Sequence, residues 1–263
     1  MAVQSPNGIP GTNNAVNSIS RQSKYEPFDL QVARGQITGH TTVSLFGYQG
    51  SVTTAFIPIW ENASTYTYPT TATTLTVASS SASDVSPAAV LINGLDINFN
   101  PVSEVVILNG VTGVTTAKSY FRVNSLQMVG VASGQVSNVG TITVKQSSNT
   151  LAQINAAVGR SQSTIYTVPA NNTFYLDWVE ANTSNSYTSG NYLTYQVQAI
   201  NNSTGVQSLI LQQPFTSIYT ASRVADPFAY AEKTDIQWQL KTSASTYAVG
   251  IIVTGKLIVN SVS

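Results

Sequence analysis

Apolar and polar residues alternate with a period of two along much of the chain, most cleanly in its C-terminal part. Phe174, Leu176 and Trp178 alternate with Tyr175, Asp177 and Val179. Leu193, Tyr195, Val197 and Ala199 oppose Thr194, Gln196 and Gln198, and Ile236, Trp238 and Leu240 oppose Asp235, Gln237, Gln239 and Lys241. A strict two-residue period is the pattern of an antiparallel strand with one face in a core and one face wet. Asn201–Gly205 reads as a hairpin turn into Val206–Leu211. Tyr247–Val259 reads as a closing strand interrupted by Gly250 and Gly255.

Further upstream the same period predicts strands over Thr42–Tyr48, Thr53–Trp60 and Thr74–Ala78. In the second of these, Ala55, Ile57 and Ile59 face one way, and Pro58 argues for an edge or a bulge. Ser79–Pro87 reads as a Ser-rich loop. Val90–Gly110 is the most informative stretch. Two apolar runs, Val90–Ile97 and Val102–Leu108, flank Asn98-Phe99-Asn100-Pro101, and Asn109-Gly110 closes the second. Asn tolerates left-handed backbone angles and Pro cannot donate to a ladder, so an antiparallel hairpin turning at 98–101 is predicted. A long strand follows over Tyr120–Val131, with Phe121, Val123 and Leu126 in the core, and another over Thr141–Lys145. Thr150–Val158 is the one stretch with helical character and reads equally as a strand. Short strands separated by turns, with almost no helix, predict an all-β fold: an antiparallel β-sandwich of jelly-roll type. The predicted organisation is an extended N-terminal arm and loop segment over 1–50 and the sandwich over 51–263, with Gly159–Ser163 a candidate boundary between layers or sub-domains. No short repeat points to a solenoid or propeller.

Composition sharpens this picture. Hydrophobic residues make up 42% of the 263 residues, enough for a core, but only 8% are charged, against roughly 25% in an ordinary soluble domain. Ser, Thr, Asn and Gln form the polar surface instead, which suits packing against other protein copies because few ions need desolvating. Eleven basic and eleven acidic residues cancel and are scattered, which argues against nucleic-acid binding. Cys is absent, which removes disulfides, thiolate metal sites and a Cys nucleophile. No apolar run approaches the roughly 20 residues of a membrane span, and the N-terminal residues lack the basic-then-apolar pattern of a secretory signal. Met1 to about Ser23, rich in Pro, Gly and Asn, is expected to be an arm lying on a neighbouring subunit.

Four groups of residues are candidates for chemistry. His40, the single histidine, has no nearby carboxylate and no nucleophile elbow, so a structural or interface role is expected. Asp96, Asn98 and Asn100 resemble the start of a calcium loop, but Pro101 and Ile107 stand where that loop needs Gly and Glu, so turn stabilisation is expected. Asp177 with Glu180, and Glu232 with Asp235, are the carboxylate pairs a glycoside hydrolase would need. Both pairs read as solvated or ion-paired surface residues. Tyr66, Tyr68, Tyr187 and Tyr192 are the aromatic residues a sugar-binding face would use, although Tyr is also a good strand residue. Asn62, Asn171, Asn182, Asn201 and Asn202 match the N-x-S/T pattern, as chance allows in so Asn- and Thr-rich a chain. No catalytic, cofactor-binding or metal residue is assigned, and no cofactor is expected.

The segment Gly94-Leu95-Asp96-Ile97-Asn98-Phe99-Asn100, followed by Val102-Ser103-Glu104, Leu108-Asn109-Gly110 and Val114-Thr115-Thr116, resembles a recurrent stretch in virion structural proteins of tailed phages that infect marine bacteria and cyanobacteria. Phe28–His40 upstream is similar to their N-terminal segment, and Tyr166-Thr167-Val168-Pro169-Ala170 matches downstream. The similarity runs from about residue 26 to about residue 180 and weakens beyond. It implies a virion component without saying which part of the particle; taken with the composition, the expectation is a non-enzymatic structural protein, assembled in the host cytoplasm, whose partners are other virion proteins and copies of itself. Capsid-surface decoration is placed ahead of a tail, neck or baseplate position. A receptor-binding fibre protein that touches a host surface glycan is the alternative. The resemblance carries over no catalytic residue.

Overall fold

The computed structural model describes residues 26–62, 64–183, 191–216, 219–244 and 246–260, with backbone alone over 219–227. The expected arm over residues 1–23 lies outside them. The chain divides into two units, Met1–Thr42 and Val43–Ser263.

In the first unit, α1 (Phe28–Ala33) is a six-residue helix with Asp29 in its first turn, where a negative charge suits the helix dipole. Arg34 pairs with Glu26, and Gln31 Nε2 donates to the Glu26 carbonyl at 2.7 Å. This helix falls in a stretch read from the sequence as loop. Its apolar residues Phe28, Leu30 and Val32 are spaced two apart, so periodicity gave no helical signal. The stretch read as either helix or strand, Thr150–Val158, is instead strand followed by turn.

The strands in chain order are β1 (His40–Val52), β2 (Ile57–Pro58), β3 (Thr73–Ser79), β4 (Val85–Leu95), β5 (Pro101–Asn109), β6 (Val114–Tyr120), β7 (Arg122–Gly130), β8 (Ile142–Gln146), β9 (Asn149–Ile154), β10 (Ile165–Thr167), β11 (Asn172–Thr183), β12 (Leu193–Asn201), β13 (Val206–Phe215), β14 (Tyr219–Tyr230), β15 (Thr234–Thr242) and β16 (Tyr247–Val259). The fold is all-β. One sheet has the order β1-β16-β11-β14 and a second β10-β15-β12-β13, with β2 also pairing β15. Ranked by position among these eight main strands, the orders are 1-8-3-6 and 2-7-4-5. That is the double Greek key of a jelly roll. Its core contains Leu45, Phe174, Leu176, Val179, Tyr195, Val197, Ile236, Trp238, Leu240 and Ile251.

The connection between the first and second strands of this jelly roll, β1 to β10, holds an inserted sandwich. Its sheets have the orders β6-β3-β8-β9 and β5-β4-β7. A separate core, with Leu75, Val77, Val90, Ile92, Val106, Leu108, Tyr120, Leu126, Ile142 and Ile154, fills it. Gly159–Ser163 lies on the segment returning from this insertion to β10.

The Val90–Gly110 hairpin forms as expected, with β4 and β5 antiparallel from Leu95↔Pro101 to Val85↔Asn109. Within its turn the left-handed residue is Phe99, at φ +66°, and neither flanking Asn takes that role. The strain is compensated by the ring, which is buried and packs edge-on against Phe121 at 5.3 Å. Thr53–Trp60 departs from expectation. Only Ile57–Pro58 is strand, and Pro58, Ile59 and Trp60 are all buried in sequence. This strap pairs antiparallel with β15 at Gln239 and Leu240 for two residues only, so strand alternation does not extend along it. The alternation of β11 breaks at Asp177, where a bulge sets Leu176 opposite Gly255 and Trp178 opposite Thr254. The extra residue turns Val179 and Ala181 inward and leaves Trp178 half-buried. Gly255 is required beside this bulge, because a Cβ would stand 2.2 Å from the Tyr175 carbonyl oxygen and 2.5 Å from the Phe174 ring.

Candidate functional site

The densest chemistry lies where the inserted sandwich meets the jelly roll. Arg122 opens β7, directly after the turn that follows β6, and Asp235 lies in β15. They are 3% and 2% exposed. Arg122 Nε donates to Asp235 Oδ1 at 2.9 Å and Nη2 donates to Oδ2 at 2.8 Å. Nη1 donates to the carbonyls of Pro69 and Phe121, both at 2.9 Å, and Nη2 also reaches Asn202 Oδ1 at 3.4 Å. The carboxylate is equally saturated: Thr167 Oγ1 donates to Oδ1 at 2.5 Å and Asn202 Nδ2 to Oδ2 at 2.8 Å. The guanidinium carbon sits 4.0 Å from the Phe121 ring centroid, 4.8 Å from Tyr68 and 5.7 Å from Phe99. Gly94 lies alongside, where a Cβ would stand 2.2 Å from the Arg122 carbonyl oxygen. Beside the pair, the Asn124 side chain bonds the Thr167 backbone in both directions, at 2.9 and 3.0 Å. The Ala170 N–H donates to the Phe99 carbonyl at 2.9 Å. Every strong donor and acceptor of the ion pair is used, which is the condition under which burying two charges is tolerable. The pair thus acts as a clamp between the inserted sandwich and the jelly roll, its hydrogen-bonding capacity spent on neighbouring residues.

The sequence candidates fall around this clamp in different places. Asp235, read as a surface carboxylate, is buried in it. Its proposed partner Glu232 instead accepts the Asn171 N–H in an exposed turn, so the two do not form an acid-base pair. Asp177 is paired with Lys256 at the β11 bulge, and Glu180 is half-buried further along the same strand. Asp96 Oδ1 accepts the N–H groups of Asn98 and Asn100, each at 2.8 Å, and Oδ2 takes Asn100 Nδ2 at 3.2 Å. This is the turn-stabilising role expected of it. His40 Nδ1 lies 3.0 Å from the Thr38 carbonyl oxygen, and its ring is edge-on to Phe28 at 5.8 Å. Tyr66 and Tyr68 do not make a sugar-binding face. Tyr66 is buried edge-on between Trp60 and Tyr68, at 5.2 and 5.0 Å, and Tyr68 covers Arg122. Tyr187 lies outside the described residues, and Tyr192 is 42% exposed. Among the described residues no group of three or more His, Cys, Asp or Glu is arranged to hold a metal, and no helix is long and apolar enough to cross a membrane.

Sequence reading missed the clamp. The available signal was Arg122 itself, a charge inside the apolar run Tyr120–Leu126 of a chain with very few charges.

Two sheet faces are set apart among the described residues. On the outer face of the β5-β4-β7 sheet, Leu91 stands between Val105 and Gln127, and Asn93 between Ser103 and Ser125. Val105 and Ile107 are 54% and 57% exposed. The row Val105–Leu91–Gln127 is uncharged, and exposed Arg160 continues it beyond Gln127. The second is the outer face of the β10-β15-β12-β13 sheet, which carries a run of amides. Gln196 Nε2 donates to Gln239 Oε1 at 2.6 Å, and Gln239 Nε2 donates to Gln237 at 2.9 Å and to Gln198 at 3.2 Å.

No protein-family model matches the chain, and no curated protein matches it. Among solved structures it is similar to a chain described as "Structure of infectious bursal disease virus Gt strain", at 10% identity over 90% of this chain and 83% of that one, with a TM-score of 0.18. A likeness at that score carries no argument, and the jelly-roll assignment rests on the strand order alone.

Proposed function

We propose that this chain is a non-enzymatic structural component of a phage particle, present in several copies and bound to other particle proteins and to itself. The capsid exterior is placed ahead of the tail, neck or baseplate. The observation that carries this reading is the charge-poor outer face of the inserted sandwich, centred on Leu91, Val105 and Ile107 with Arg160 at its β7 edge, held out from a jelly-roll body. Contiguous exposed apolar surface of this kind marks protein interaction sites. With uncharged residues at its centre and Arg160 at its edge, it can be covered with little ion desolvation. The sequence resemblance to virion proteins adds to it. Dispersal of the carboxylates among structural duties speaks against glycoside hydrolysis.

The test is protein composition of gradient-purified particles from an infected culture, with copy number measured by quantitative mass spectrometry. The reading expects the chain in the particle, and Val105→Asp with Ile107→Asp to lower incorporation while the isolated protein stays folded. Recovery of the wild-type chain only in the soluble lysate refutes it. The copy number separates a head position from a tail position.

A further inference from the structure

A second surface has the makings of a ligand site, and its argument does not depend on the particle reading. The outer face of the β10-β15-β12-β13 sheet ends in a cleft of about 500 Å³ lined by Tyr192, Thr194, Gln212, Pro214, Phe215 and Lys241, with Thr216 at its margin. That volume falls within the range of small-molecule sites. The register places Thr194 opposite Pro214 on one side and Lys241 on the other. At roughly 4.8 Å between strands, the row Pro214–Thr194–Lys241 is about 10 Å across, the width of one or two sugar rings.

Each element of the cleft is held in place. Thr194 forms the floor and is 4% exposed. The Tyr192 backbone is clamped to Ser243 in both directions: its N–H donates to Ser243 Oγ at 3.0 Å, and its carbonyl accepts the Ser243 N–H at 2.9 Å. Its ring is therefore a partly exposed aromatic platform on a fixed backbone. The Lys241 ammonium lies 4.6 Å from the Phe56 ring centroid, and none of the ion pairs among the described residues involves it. Gln212 flanks the row on the Pro214 side, one step along β13 on the same face.

An aromatic ring, a hydroxyl, an amide and one unpaired cation around a shallow cleft define a complementary ligand. It has a flat apolar ring face, hydroxyls around its edge and one negative charge. A nucleic acid would need several cations in a row, and among the described residues lining the cleft only Lys241 is cationic. We propose that this cleft binds an acidic saccharide, a pyranose bearing a carboxylate. Tyr192 stacks on the ring, Lys241 pairs the carboxylate, and Gln212 and Thr194 bond the hydroxyls.

The test uses the full chain and a set of short probes: trigalacturonate, trimannuronate and sialyllactose as acidic saccharides, maltotriose and lactose as neutral ones. Saturation-transfer NMR and calorimetry read binding. At least one acidic probe is expected to bind, with the neutral probes about tenfold weaker or worse. Tyr192→Ala and Lys241→Met are each expected to weaken the acidic probe by about tenfold or more, while Lys241→Arg retains it. Both side chains are at the surface, so the unfolding midpoint serves as the control for folding. Three results overturn the proposal: no acidic probe binding at roughly 10 mM, neutral probes binding as well as acidic ones, or binding that survives both substitutions in folded protein.

Discussion

Removing one side of the Arg122–Asp235 clamp is the sharpest perturbation the structure offers. In Arg122→Met the Asp235 carboxylate stays buried, keeps only Thr167 and Asn202 as donors, and loses its counter-charge. The carbonyls of Pro69 and Phe121 lose a donor as well. Leaving one ion of a buried pair costs about 3–5 kcal/mol. Asp235→Ala strands the guanidinium with a similar cost. The double variant removes both charges, so its loss is expected to fall short of the sum by about 2 kcal/mol. It does not return to wild type, because the Pro69 and Phe121 carbonyls and the Thr167 hydroxyl lose these partners. The optical probes separate the lobes. All three Trp, at positions 60, 178 and 238, lie outside β3–β9, so their fluorescence follows the jelly roll, whereas far-UV circular dichroism follows both sandwiches. In urea the wild-type transitions by the two probes coincide, and in Arg122→Met they part as the lobes lose their main polar link. Additive single losses, with coincident transitions in every variant, would refute the idea that this pair couples the lobes.

Three further outcomes follow from single groups. Asp84 is 1% exposed and accepts Ser79 Oγ at 2.6 Å and the N–H groups of Val139 and Gly140, both at 2.8 Å. Asp84→Ala is expected to cost about 3 kcal/mol in urea unfolding, and a loss within experimental error would show that the loop re-pairs without it. Burial pushes the Glu61 carboxyl from 4.5 up to about 7, against the amide hydrogen bond from Gln162 that lowers it. A carboxyl raised on folding contributes its full share below about pH 4.5 and loses it as pH climbs through about 7, a change of up to about 3 kcal/mol. Glu61→Gln should therefore flatten stability across that window and be the more stable protein at pH 8. An unchanged pH profile would count against a buried carboxyl. Asp96→Ala removes the acceptor shared by two backbone N–H groups and is expected to cost about 1–2 kcal/mol. A chelator should leave the wild-type melting temperature where it is, and a chelator-induced drop would reopen a cation role at that turn.

Much of the fold could be read from the chain because its strands are half-buried. Leu75 and Val77, Leu193 to Ala199, and Ile236 to Leu240 announce their faces by alternation, and Asn201–Gly205 announces its turn. The hairpin over β4 and β5 was legible for the same reason. Alternation cannot report an inserted residue, so the bulge at Asp177 and the inward swing of Val179 went unseen. Nor does it report what covers an outer face. Asp235 and Gln237 occupy the outward positions of β15, yet both are buried, Asp235 under Arg122 of the inserted sandwich. The insertion itself was invisible, because both sandwiches are built from similar short strands. Only the pairing shows that β1 belongs with β16 while β3 to β9 close on themselves. Tyr66 and Tyr68, candidates for a sugar-binding face, pack instead with Trp60 and over Arg122, a contact that local sequence does not report.

The placement of charge ties these observations together. A chain this poor in ions buries two of them to 3% and 2% exposure, where apolar packing would be cheaper. An apolar contact between two sandwiches would be stable but tolerant of sliding, since dispersion and burial have little direction. A bidentate guanidinium-carboxylate contact with every lone pair and proton assigned fixes distance and angle together. The clamp therefore sets the direction in which the inserted sandwich presents its Leu91-Val105-Ile107 face relative to the jelly roll. For a protein proposed to repeat many times in a particle, that angle must be the same in every copy, because small tilts accumulate between neighbours. Weakening the clamp is thus expected to lower incorporation before it unfolds either sandwich. Arg122→Met at a temperature where both lobes remain folded is the variant in which assembly and stability should come apart. Normal incorporation of that variant would show that the two faces need no fixed geometry.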